Sequence, residues 1–329
     1  MIDKLVRDIR TPIFESVDDV RIKFNYFREI SKRKIDKLNE QELNVLVTEF
    51  KKFMNYILAF WSDSYPSRLW RVSINKNINN QSRRLSKISE IIGPPTDKAK
   101  INRCNLDSES VFYSALDLNT AFWETMPKVG DDITVSEWKI KNGKQLNLHH
   151  IFHPFKENVS KESQEAYEQH LKLIQPYEQS YKEIHLELIA FACDEFMKAV
   201  ANDKKVNYLF SAIISSQLLQ QERDANGFRI DSISYPCTKK NHSVTNVAIL
   251  NSLFLEKLDL LSVTMSTVTE TNYDIDNPNR TDLVRIAPIQ LKHKFFNLKE
   301  DRIIYDEDDY YKQVQYYISL NNGHNSNSE

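Results

Sequence analysis

The chain has 329 residues, enough for a sizeable core in one or two domains, and a formal net charge of −2. Lysine, arginine, aspartate and glutamate are interspersed, so no basic field marks nucleic acid as a direct partner. Three cysteines, Cys104, Cys193 and Cys237, show no C-x-x-C spacing, which argues against a disulfide framework or a thiolate zinc site and fits a cytoplasmic setting.

Residues 1–10 are charged and lack the apolar core of a secretion signal. Apolar runs fall well short of the ~18 residues a membrane span needs, so no membrane partner is expected. The sequence holds only five glycines, and neither G-x-G-x-x-G nor G-x-x-x-x-G-K-[ST] occurs. A bound nucleotide must therefore have its phosphates gripped by side chains.

In chain order, residues 1–62 read as a helical segment. Ser16 is placed to cap a helix whose first turn holds Asp18 and Asp19, with Val20, Phe24 and Phe27 on one face. Asn39 and Glu42 form a capping-box pair ahead of a stripe at Leu43, Leu46, Val47, Phe50, Met54, Ile57 and Leu58. Such helices also suggest HEPN-type ribonucleases, which need a histidine shortly after an arginine; the first histidine is His149, so that reading fails.

Strands are expected at 69–74, 111–115 and 133–140, with a short helix over 117–124 that ends its carboxylate near a sheet edge. His149, His150 and His153 lack H-E-x-x-H spacing and read as a solvated strand end before Pro154. Residues 154–176 read as a loop and a solvated helix. Two helices follow, with stripes at Ile184, Leu188, Ala192, Phe196 and Val200, then at Phe210, Ile213, Ile214 and Leu218. Asn226-Gly227 turns into a strand at 230–235; further strands are expected at 244–250, 262–269 and 283–286, with a hairpin turn at Asn277-Pro278-Asn279. The acidic run 306–309 reads as a solvated face or as the start of a helix over 310–318, and residues 321–329 read as a disordered tail.

The chemistry concentrates in residues 69–124: Trp70-Arg71, Ile92-Gly93-Pro94-Pro95, Asn102-Arg103-Cys104-Asn105, Tyr113 within an apolar strand, and Glu124 closing Thr120-Ala121-Phe122-Trp123-Glu124. Two guanidinium groups, a phenol and a carboxylate can hold a dinucleotide and break its glycosidic bond. Arginine donates a fork of hydrogen bonds to phosphate, an aromatic face stacks on a base, and a carboxylate steadies positive charge on the ribose. Singly, each has a plainer role: Arg71 a surface cation, Arg103 a turn brace, Tyr113 a core residue, Glu124 an exposed helix residue.

In order and spacing these residues resemble the RES domain, a family named for its arginine, glutamate and serine. Ser234-Tyr235-Pro236-Cys237 and Asn246-Val247-Ala248 resemble its closing segment. Two positions depart from the family: Cys237 stands for the serine, and Asn102 for a glycine, which puts a side chain where φ > 0 is tolerated best by glycine. Cys237 is not expected to be a nucleophile, since His242 is the nearest histidine in sequence and none is visibly placed to activate the thiol.

The resemblance implies an α+β fold of ADP-ribosyltransferase type, a twisted, mainly antiparallel split sheet with flanking helices. It would occupy residues 63–320, with a helical insertion at about 155–225. It implies an enzyme that cleaves the nicotinamide–ribose bond of NAD, by hydrolysis or by phosphorolysis with inorganic phosphate as co-substrate, and without a prosthetic group. Arg71 and Arg103 would bind the phosphates and orient the ribose, Tyr113 would stack on or border the nicotinamide and Glu124 would be the catalytic carboxylate. Cys237 and Asn246 would join the NAD-binding set, Cys237 either contacting the ribose or positioning the acceptor. The implied setting is a toxin with its antitoxin, or an antiviral defence effector with an immunity protein. Residues 1–62 and 155–225 are candidate surfaces for that partner or for a homo-oligomer. Protein ADP-ribosylation, and NAD or ADP-ribose binding without turnover, are the alternatives.

Overall fold

The computed structural model describes residues 16–32, 35–54, 67–79, 84–156, 159–220, 229–238, 244–273 and 284–325. The elements begin α1 (Val17–Lys32), α2 (Glu40–Met54), β1 (Leu69–Ile74), α3 (Asn75–Ile78), β2 (Val111–Ala115), α4 (Leu118–Thr125), β3 (Asp132–Ile140) and β4 (Leu148–His150). Next come α5 (Lys161–Ile174), α6 (Gln179–Phe196), α7 (Leu209–Leu219), β5 (Ser232–Pro236), β6 (Thr245–Leu250) and α8 (Asn251–Lys257). The chain ends with β7 (Leu258–Thr271), β8 (Val284–Ile286), β9 (Leu291–Asn297), β10 (Arg302–Tyr305) and α9 (Glu307–Asn325). With 47% helix, 25% strand and mostly antiparallel pairing in an open sheet, the protein is of mixed α and β class. Among the described residues no helix is long and apolar enough to cross a membrane.

Ile57, Leu58, the Asn226-Gly227 turn, the Asn277-Pro278-Asn279 turn and His242 lie outside the described residues. The others divide into two compact units built from interleaved stretches: one drawn from 1–65, 95–112 and 145–254, the other from 66–94, 113–144 and 255–329.

The first unit is a phenylalanine-rich helical core beside a short sheet. The Ser16 hydroxyl accepts from the Asp19 N–H at 3.2 Å. Asn39 and Glu42 cap α2 reciprocally, at 3.0 and 2.9 Å. Val20, Phe24 and Phe27 of α1 are buried, as are Leu46, Phe50, Phe53 and Met54 of α2. Phe27 meets Phe50 edge-on with centroids 5.0 Å apart, and Phe50 meets Phe210 of α7 at 4.3 Å. Fully burying such a ring contributes about 2–3 kcal/mol, so this cluster dominates the packing of these helices. α1 is also pinned to α6 by polar contacts: Ser31 Oγ donates to the buried carboxylate of Glu195 at 2.7 Å, which receives Lys198 Nζ at 2.8 Å. β4 pairs in parallel with β5, and β5 antiparallel with β6; every residue of all three strands is buried.

That burial corrects the expectation for His149 and His150, which are only 4% and 5% exposed. They sit in β4, with His150 opposite Ser234 in register and its Nδ1 bonded to the Ser234 hydroxyl. α5 likewise is more than a solvated helix: Ala166, His170 and Ile174 form a buried face. Val200 falls beyond the end of α6, where the stripe stops at Phe196.

In the second unit β3 pairs antiparallel with β1 on one side and with the long β7 on the other. β8 and β9 both pair with β7, and β10 pairs with β9. Val72, Ala115, Ala121, Phe122, Ile133 and Val268 make its core, with Trp70 and Ile74 packed against them. The alternation of β1 sends Trp70, Val72 and Ile74 to this core and Arg71 and Ser73 to the opposite face. α9 starts at Glu307, with the Asp306 carboxylate capping the Asp309 N–H at 3.0 Å, and continues through Asn325 into the segment read as a tail.

Candidate active site

The sequence-derived residues divide between the units. Arg71, Tyr113 and Glu124 belong to the second; Arg103, Cys237 and Asn246 belong to the first.

In the second unit, β1 and β2 are registered only at Trp70↔Ala115. Beyond that pair the arginine takes the place of the ladder: Arg71 Nη1 donates to the Tyr113 carbonyl at 3.0 Å and Nε to Ser73 Oγ at 3.4 Å. Burial pushes the guanidinium down to about 10, opposed by the nearby Tyr113, so it stays charged at neutral pH. α4 then lies along the edge of β1, where Thr125 Oγ1 donates to the Val72 carbonyl at 3.2 Å.

The start of α4 follows from Asp117, whose carboxylate accepts from the Thr120 N–H at 2.9 Å and from the Thr120 hydroxyl at 2.6 Å. Its end follows from Met126, in left-handed conformation at φ 45° and ψ 55°. Eight residues thus separate a fixed cap from a fixed stop, with Ala121, Phe122 and Trp123 turned inward. Glu124 stands exposed in the last turn, open to solvent and beside the β1 edge. The fixed cation thus lies on one face of β1, while the helix that carries the accessible carboxylate packs Ala121 and Phe122 against the other, Trp70–Val72 face.

In the first unit, Arg103 is 7% exposed and lies in a tight loop closed by Asn102 and Asn105, whose backbones exchange hydrogen bonds at 3.0 and 3.3 Å. Asn102 does not take up positive φ; among the described non-glycine residues that conformation is confined to Ser108, Met126 and Asp301. The Arg103 guanidinium lies over the Tyr208 ring at 4.8 Å and the Tyr235 ring at 5.7 Å, and its Nη2 donates to Tyr208 Oη at 3.0 Å. Tyr235 faces Asn246 across the β5–β6 pair. Cys237, fully buried, continues the pairing with its N–H on the Val244 carbonyl at 2.9 Å.

Arg103 and the Tyr-Pro-Cys segment therefore come together, and Arg103 acts there at least as a brace between aromatic rings. Tyr208 is the partner that sequence reasoning missed. It sits in a short helical turn ahead of α7, over a hundred residues from Arg103 in the chain, and no local spacing marks it. No protein-family model and no curated protein matches this chain. Among the described residues no group of three or more His, Cys, Asp or Glu side chains could hold a metal ion.

Proposed function

We propose that the protein cleaves the nicotinamide–ribose bond of NAD, on an ADP-ribosyltransferase-like fold of RES type, and passes the ribose to water or inorganic phosphate. The observation that carries this reading is the second-unit arrangement: Arg71 anchored to the Tyr113 carbonyl where β1 and β2 separate, and Glu124 exposed on the helix edging β1. The roles of Arg103, Cys237 and Asn246 rest on the resemblance alone.

The nicotinamide of NAD is already a cationic pyridinium, so it leaves with the bonding electron pair as a neutral amide and needs no general acid. The positive charge moves to the ribose, as an oxocarbenium-like centre. Arg71 binds a phosphate oxygen and fixes the substrate, while Tyr113 borders the leaving ring. Glu124 holds the ribose hydroxyls and offsets the developing charge, an effect of about two to three powers of ten in rate. Water or phosphate then bonds to the anomeric carbon; with water, one proton is released.

Such an enzyme depletes NAD in the cell that holds it, which suits a toxin or a defence effector restrained by a cognate antitoxin or immunity protein. The test is incubation of the purified protein with NAD, with and without phosphate, following nicotinamide release. Release by the wild type and loss of at least about a hundredfold in Glu124→Gln is the expected result. No release beside an active NADase control, or full activity in Glu124→Gln, overturns it.

A further inference from the structure

A second candidate site lies within the second unit, in a cavity of about 410 Å³ lined by β3, β7 and β9. Its origin is a side chain inserted into a strand ladder. β7 and β9 are in register at Thr264↔Lys292 and Met265↔Leu291. At the next step the His293 imidazole intervenes, its Nδ1 accepting the Val263 N–H at 3.2 Å in place of a carbonyl. His293 also stands at the β-bulge where β10 shifts register against β9. Past that point Leu258 and Leu260 of β7 and Phe296 of β9 line the cavity, over the indole of Trp138.

The lining dictates what fits. His293 and Phe296 stack face to face, with centroids 4.3 Å apart and planes 8° apart, so each ring covers one face of the other and the pair lines the space as a stack. Trp138 is fully buried and lies beneath the lining, without an accessible surface of its own. Two lysines, Lys141 and Lys294, border the space against one carboxylate, Asp259, so its local charge favours an anion. Because His293 Nδ1 acts as acceptor, the proton of the neutral ring resides on Nε2, a further donor. Leu255, Phe295 and Leu298 also line it and are 47%, 53% and 62% exposed, which leaves the site open to solvent. The volume lies in the range of small-molecule pockets, about 300–1,000 Å³.

We infer that this cavity binds a planar aromatic anion, with the His293–Phe296 stack and the exposed Phe295 holding its flat body and Lys294 its acidic group. The site shares no residue with Arg71, Tyr113 or Glu124, and the inference stands apart from the NAD reading.

The test titrates the full chain with 1-anilinonaphthalene-8-sulfonate, an aromatic sulfonate, and with uncharged N-phenyl-1-naphthylamine. The sulfonate is expected to show saturable fluorescence enhancement at one site, with matching quenching of tryptophan emission. Lys294→Glu changes an exposed residue and should weaken the sulfonate by about fivefold or more while shifting the neutral probe less than about twofold. Leu260→Trp should fill the cavity and remove both signals. Non-saturable enhancement, or equal sulfonate affinity in wild type and Lys294→Glu, overturns the inference, and the lysine variant decides it even if Leu260→Trp does not fold.

Discussion

Acid should loosen the first unit well before its carboxylates are protonated, because three imidazoles are buried there as neutral groups. His170 of α5 is completely buried, 5.9 Å ring to ring from Phe152 and 6.2 Å from His185 of α6. Tyr181 covers His185 at 4.3 Å, and His150 in β4 is held by the Ser234 hydroxyl. Burial pushes His150 and His185 down to about 4. His170 falls to about 3, through burial first and then the neighbouring His185 and His149. A histidine depressed in the fold contributes stability above its unfolded value of about 6.5, and that stability drains as the unfolded chain takes up protons the folded chain refuses. The loss begins near pH 6.5 and levels off near the folded values, at about 4 and about 3. At pH 5 each imidazole costs about 2 kcal/mol, and the three together about 6, comparable with the whole stability of a typical domain. Urea unfolding followed by circular dichroism at pH 7.5, 6 and 5 reads this directly. His170→Phe removes one proton-binding site and should reduce the loss between pH 7.5 and 5 by about 2 kcal/mol. A midpoint unchanged between pH 7.5 and 5, or a variant with the wild-type slope, would refute the reasoning.

Three further perturbations test the packing around the candidate residues. Asp117→Ala removes the cap of α4 and should cost about 1 kcal/mol by chemical denaturation, with nicotinamide release falling too if Glu124 depends on that helix. Tyr208→Phe keeps the ring beneath Arg103 but loses the hydroxyl that receives Nη2, a cost of about 1–2 kcal/mol; Tyr208→Leu should cost more, since the cation–ring contact goes as well. Ser31→Ala leaves the buried Glu195 with Lys198 alone, and thermal melting should show about 1.5–3 kcal/mol of destabilisation.

Local chemistry was legible from the residues themselves. Ser16 and the Asn39–Glu42 pair cap the helices that their spacing to the next polar residue implies, because a cap involves atoms three positions apart. The strand at 69–74 and the helix ending near Glu124 follow from alternation and from short-range periodicity in the same way. His149 and His150 show the opposite case. Nothing within a few residues signals burial; a parallel strand over eighty positions away and the cover of α5 remove them from water. The brace of Arg103 against Tyr208, the hold of Arg71 on the Tyr113 carbonyl and the gap that His293 opens between β7 and β9 are likewise products of tertiary pairing. Side-chain type, turn chemistry and helix ends are set by neighbours along the chain and so are written in it. Burial, ring contacts and the composition of each unit depend on which distant segments meet, and that is decided only when the whole chain has packed.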